Sequence, residues 1–228
     1  MPETTPWYVP GGTTSNLNHD DKRPNILAGV FTTWGIAAIF VGMRLWTRAR
    51  IVRALGIADL LITISLIFAA GMCAAMVYEV KHGMGRHIYD IDQYTEKHLS
   101  PMLKGFWFSL VFYILSLAFT KTSILLLYLS IFTLEWARRA VYAALAIVII
   151  HNLWATATVF TMCIPLRGVW DVWLEDMWCQ PQDAWWANTG LAIITDIIIF
   201  ILPIPILGPL NLPRRQKIVV MGIFAVGF

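Results

Sequence analysis

Charged residues are scarce in this chain. Asp, Glu, Lys and Arg make up 14% of its 228 residues, where a soluble domain carries about 25%. That shortfall argues against an ordinary water-facing surface. The net charge is only +3, and the basic residues form no single stripe, so nucleic acid is excluded as a partner. Cysteine numbers three, enough for one pair. No Asn-x-Ser/Thr sequon, internal repeat or low-complexity tract occurs. Residues 1–25 are polar and rich in Pro and Gly, with no apolar stretch of the signal-peptide kind. They read as a flexible tail, and the first apolar run then acts as its own insertion signal.

What the chain has in quantity is long apolar runs. Hydrophobic residues make up 58%, and the mean hydropathy is +0.65. A helix needs about 20 mostly apolar residues to cross the hydrocarbon core. Ile26–Met43, Ile57–Val77, Phe106–Phe132, Ala140–Met162 and Trp186–Leu207 reach that range. Val219–Phe228 begins a sixth run. The expected fold is all-α: a polytopic transmembrane helical bundle over residues 26–228. The lipid bilayer is its first partner.

Charge sets an expected orientation. Arg44, Arg48, Arg50, Arg53, Arg138, Arg139, Arg214, Arg215 and Lys217 crowd three short segments, against Glu135 alone. The tail, Tyr78–Lys104 and Cys163–Trp185 are longer, and acidic residues outnumber basic ones there. Dense Lys/Arg in short loops marks the cytoplasmic side, so the N-terminus is expected outside, with the plasma membrane as the favoured location. Trp46 and Trp136 at inner ends, and Trp107, Trp185 and Trp186 at outer ends, fit an interfacial belt.

Three ionisable residues fall within the spans: Asp59, Lys121 and Asp196. Each costs about 2.5–3.5 kcal/mol at mid-membrane, so each should face the bundle interior and find a partner. Lys121 lies eleven residues before Phe132, and Asp196 eleven before Leu207. At 1.5 Å per residue both sit ~16 Å from the inner ends. Equal depth predicts a Lys121–Asp196 ion pair between the third and fifth spans, acting either as a clamp or as a ligand counter-charge. Asp59 is shallow. It either caps the second helix, whose dipole favours an anion there, or fills a buried polar role. Pro203 and Pro205 interrupt the fifth span, as part of a termination ahead of Pro209 and Pro213 or as a hinge. His151 is expected to hydrogen-bond between helices.

Cys163 and Cys179 share one outer loop, which makes a disulfide plausible on an oxidising face. Between them, Val169, Trp170, Trp173, Leu174 and Met177 recur at helical spacing, which predicts a short interfacial helix. His82, His87, Asp90, Asp92 and His98 lack the tight spacing of a metal site and read as a solvated loop. No Ser–His–Asp order, phosphate loop or convincingly placed acid pair indicates catalysis. No catalytic, cofactor or metal residue is therefore assigned.

Taken in order, several motifs resemble the fungal rhodopsin-domain family of seven-helix membrane proteins. They are Gly83-Met-Gly85-Arg-His87, then Lys121-Thr-Ser123 running to Tyr128 and Phe132, then Cys163-Ile-Pro165 with Trp170 and Cys179. Asn188 with Asp196, Leu202-Pro203-Ile-Pro205 and Leu210-Asn-Leu212 complete the set. The resemblance covers about Ile26 to Phe228. It implies a seven-helix layout, here expected to stop within the sixth helix. Ala58 stands where family members often carry a second acid, and Ser130 where an arginine is common. In known rhodopsins the retinal-bearing lysine lies on the seventh helix, so Lys121 is not expected to carry a chromophore. The family implies a receptor-like protein with a small-molecule ligand and a cytoplasmic signalling partner. The alternatives are a membrane enzyme or accessory protein for lipophilic metabolites, and a transporter.

Overall fold

The computed structural model describes residues 21–207, apart from 54, 86–95, 133, 172 and 175. The sixth apolar run, most of the tail, and His87, Asp90 and Asp92 lie outside the described residues. Five long helices appear in order: α1 (Arg23–Thr47), α2 (Ile57–Lys81), α3 (Glu96–Ile131), α4 (Glu135–Phe160) and α5 (Gln182–Ile201). All five are long and apolar enough to cross a membrane. Their outward faces carry Phe31, Ile39, Ile67, Phe108, Ile150 and Ile197, all exposed. Lipid, not water, is the solvent that such a surface matches.

The helices overrun the apolar runs at several ends. α3 begins at Glu96, ten residues before Phe106, and carries Pro101 inside it. Hydropathy marks where hydrocarbon begins, whereas a helix continues into the headgroup zone as long as its backbone bonds are met. After α1 the chain makes a π-helical turn, Arg48–Val52. Arg53 then adopts a left-handed conformation (φ 51°) that redirects it toward α2.

α3 is the central helix, with α2 on one side and α4 on the other. The α2–α3 contact is antiparallel and runs through polar and small groups. Ser123 Oγ donates to the Ala58 carbonyl at 2.6 Å. Ser65 Oγ lies 2.6 Å from Thr120 Oγ1 and donates to the Ser116 carbonyl at 2.9 Å. Further along α2, a Cβ on Gly71 would meet the Phe112 ring, and one on Gly105 would come within 2.7 Å of Glu79 Cγ. Small residues bring the two backbones close, which in a membrane substitutes for the missing hydrophobic drive.

α4 buries a stripe of Ala137, Val141, Ala144, Val148, Ala155 and Val159. These recur every three or four residues, except for one wider gap, so one narrow, small-residue face meets α3. The half of that face nearer the start of α4 packs with Leu125 and Tyr128 of α3, with Phe132 just beyond its end, and with Ile199 of α5. The half nearer the end of α4 packs with Trp107 and Ile114 of α3 and with Cys163 and Val169. Trp107 departs from its expected interfacial role. It is buried, and its indole N–H donates to the Val159 carbonyl at 3.2 Å. The last carbonyls of a helix lack intrahelical partners, and the indole satisfies one of them.

The segment between α4 and α5 is not the interfacial helix that its spacing suggests. Strands β1 (Cys163–Ile164) and β2 (Trp178–Cys179) pair antiparallel, with Cys163 opposite Cys179. A disulfide joins them. A short 3₁₀ turn, Leu166–Val169, follows β1. The physical reason is closure: the ends are pinned 4.0 Å apart at Cα, so the chain between them must double back. One continuous helix over Val169–Met177 would carry it ~12 Å in a single direction.

α5 ends at Ile201, and Leu202 N–H makes its final bond, to the Ile198 carbonyl. Pro203 cannot donate, and the chain resumes as one turn, Ile204–Leu207. The interruption falls at Pro203, as expected, and Pro209 and Pro213 lie outside the described residues.

The Gly105 contact yields a prediction. Gly105→Ala should destabilise the purified protein by about 1–3 kcal/mol, the usual range for overpacking. Gly42→Ala, with nothing within 4 Å of the new Cβ, should be neutral or slightly stabilising. Thermal unfolding in detergent compares the two directly.

Candidate functional site

Lys121 projects from α3 toward α5. Its ammonium has three N–H donors and meets three acceptors: Asp196 Oδ1 at 2.9 Å, Thr195 Oγ1 at 2.9 Å and the Ala192 carbonyl at 3.1 Å. Thr195 donates its own hydroxyl to the Ala192 carbonyl at 2.7 Å, which leaves its lone pairs toward Lys121. The two charges differ in environment. The Lys121 side chain is 4% exposed and that of Asp196 42%. The cation is enclosed, and the anion is half open.

The α5 face that meets Lys121 has a helical period: Asn188, Ala192, Thr195 and Ile199 lie three or four residues apart. Asn188 Oδ1 is buried without a hydrogen-bond partner among the described residues. His151 occupies the gap in the α4 stripe between Val148 and Ala155. Both its ring nitrogens are buried and unpartnered among the described residues, so the hydrogen bond expected of it is absent there. The helices thus enclose Lys121 and Thr195, leave Asp196 half open beside them, and bury polar atoms of Asn188 on α5 and His151 on α4.

Asp59 forms a separate site. It is 3% exposed and takes Arg44 Nε at 3.2 Å on Oδ1 and Arg48 Nη1 at 3.0 Å on Oδ2. The Gly56 N–H also donates to Oδ2, at 3.1 Å. Asp59 therefore combines both roles weighed for it: it caps α2, and it is a buried anion holding α1 to α2. Sequence reasoning missed Arg44 and Arg48 as its partners. Their i, i+4 spacing on one helix face was the available signal. It also missed Thr195 and Glu79. Glu79 sits in the last turn of α2, 2% exposed, with Oε1 unpartnered among the described residues. Cys73 carries a free thiol.

Residues 43–228 match the fungal rhodopsin domain. The chain belongs to the fungal rhodopsin-domain family. A curated relative, Receptor GIN3 of Arthrobotrys oligospora, is 26% identical over 219 residues, or 92% of this chain and 51% of that protein. The chain thus spans about half the length of the curated relative it matches. No solved structure matches it. This fungal rhodopsin-domain protein is a membrane protein in contact with the lipid bilayer, and its matched region contains Lys121, Asp196, Cys163 and Cys179.

The unequal exposure of the ion pair predicts an unequal mutant response. Asp196→Leu strands an enclosed ammonium and should cost the larger share, toward the 3–5 kcal/mol of a broken buried pair. Lys121→Met leaves a half-open carboxylate and should cost less. The double variant should recover much of the loss, which a double-mutant cycle on detergent stability measures. Simple additivity would mean that the two side chains do not interact.

Proposed function

We propose that this protein is a receptor-like membrane protein that senses an external small molecule. The observation that carries the reading is the enclosed Lys121 tied to a half-open Asp196. A ligand bearing an ammonium or hydrogen-bonding group can compete for the open carboxylate. Loss of that contact changes what α5 offers Lys121, and α5 continues to the break at Pro203. The chain there can pass a shift to the segment carrying Arg214, Arg215 and Lys217, where a cytoplasmic signalling partner would dock. The relative whose name contains "Receptor" supports this reading.

The proposed orientation puts the N-terminus outside, in the plasma membrane, with the basic segments in the cytoplasm. The disulfide-tied hairpin fits an oxidising outer face. A glycosylation acceptor engineered at Thr13–Ser15 should be modified in vivo, and one placed near Arg214 should not. The reverse pattern overturns the orientation.

The receptor reading is tested with a library of lipophilic and amine-bearing metabolites on the purified protein. A receptor predicts a compound that raises the unfolding temperature of the wild type, loses that effect with Asp196→Asn, and is recovered chemically unchanged. A compound that the wild type converts, and Asp196→Asn does not, would replace the receptor reading with an enzyme.

A further inference from the structure

Asp59 is a single carboxylate shared by two guanidinium groups. Arg44 takes one oxygen and Arg48 the other, with the Gly56 N–H on the second as well. One positive charge is left over. Arg44 Nη2 is buried with no hydrogen-bond partner among the described residues. A guanidinium N–H₂ without an acceptor is costly, and arginine's fork fits the oxygens of a phosphate.

The surroundings say where such an anion would come from. Trp46 is 63% exposed, Ile51 74% and Ile57 71%, and all three flank the arginines along the chain. Arg50 lies over the Trp46 ring at 5.3 Å. A tryptophan and isoleucines beside arginines at the end of an apolar helix mark the hydrocarbon–headgroup boundary. Lipid phosphates are the concentrated anions at that depth. The π-helical turn Arg48–Val52 begins at the second arginine, and such turns interrupt helices frequently at functional sites.

We propose that Arg44 and Arg48, gathered on Asp59, bind the phosphate of an anionic phospholipid headgroup at the α1–α2 edge. Asp59 preorganises the two guanidinium groups and neutralises one charge. The phosphate neutralises the second from the exposed parts of Arg44 and Arg48, whose side chains are 23% and 22% exposed. The site is independent of the receptor reading.

The test is native mass spectrometry of the full chain in detergent with an equimolar mixture of dioleoyl phosphatidylcholine and dioleoyl phosphatidic acid. The expected result is several-fold preferential retention of phosphatidic acid. Arg44→Gln should reduce that preference roughly fivefold, the weight of one arginine near a membrane surface. Arg139→Gln removes the same charge from an exposed residue paired loosely with Glu135, and should leave the preference unchanged. Should Arg44→Gln fail to accumulate, Arg48→Gln is held to the same criterion. Equal retention of the two lipids in the wild type overturns the proposal. So does an equal effect of Arg139→Gln, which would mean diffuse surface attraction. Displacement of the lipid by excess inorganic phosphate also overturns it, since the site would then serve a soluble anion.

Discussion

A primary ammonium inside hydrocarbon must have its N–H groups met by the protein, because no water is there to meet them. Lys121 imposes that requirement on the centre of this bundle. Its three acceptors all come from one turn and a half of α5: Ala192, Thr195 and Asp196. These contacts fix where α5 meets α3, alongside the packing of Ile199 against Leu125, Tyr128 and the α4 stripe. Lipid tails offer the same dispersion contacts as Leu or Ile, so apolar packing discriminates weakly between registers in a membrane. A three-donor cation with three matched acceptors discriminates strongly.

The same logic orders the rest of α3. Three of its hydroxyls reach α2, where Ser116 and Thr120 meet Ser65 and Ser123 meets the Ala58 carbonyl. Its lysine points to α5, and its indole at Trp107 reaches the end of α4. Each neighbour is held by a different polar contact, and the small residues Gly71, Gly105, Ala137 and Ala144 let the backbones approach. α1 buries no residue among the described helices. Polar contacts hold it instead, above all Arg44 and Arg48 on Asp59 near its C-terminal end.

Much of this layout was legible in the sequence, and the gaps have physical causes. The five spans follow from apolar length alone. Their ends do not, because Glu96–Lys104 is polar and yet helical beyond the apolar core of α3. Counting residues from the span ends approaches the level shared by Lys121 and Asp196, since α-helical rise is constant. It cannot reveal Thr195, whose hydroxyl looks like any other span threonine until its rotation is known. Helical periodicity misled between Cys163 and Cys179, where the paired strands force the chain to reverse. The exposure of Asp196 and the unpartnered nitrogens of His151 depend on three-dimensional placement, and no spacing rule carries them.

The central claim is that Lys121 is a charged ammonium in direct contact with Asp196 in the membrane. Solid-state NMR on the protein in bilayers, with ¹⁵N-labelled lysine and ¹³C-labelled aspartate, tests it most directly. The account predicts a lysine Nζ signal in the ammonium range with strong dipolar coupling to an aspartate carboxyl carbon, lost on either Lys121→Met or Asp196→Leu. A neutral-amine signal for Lys121, or no coupling to any aspartate in the intact protein, would contradict it.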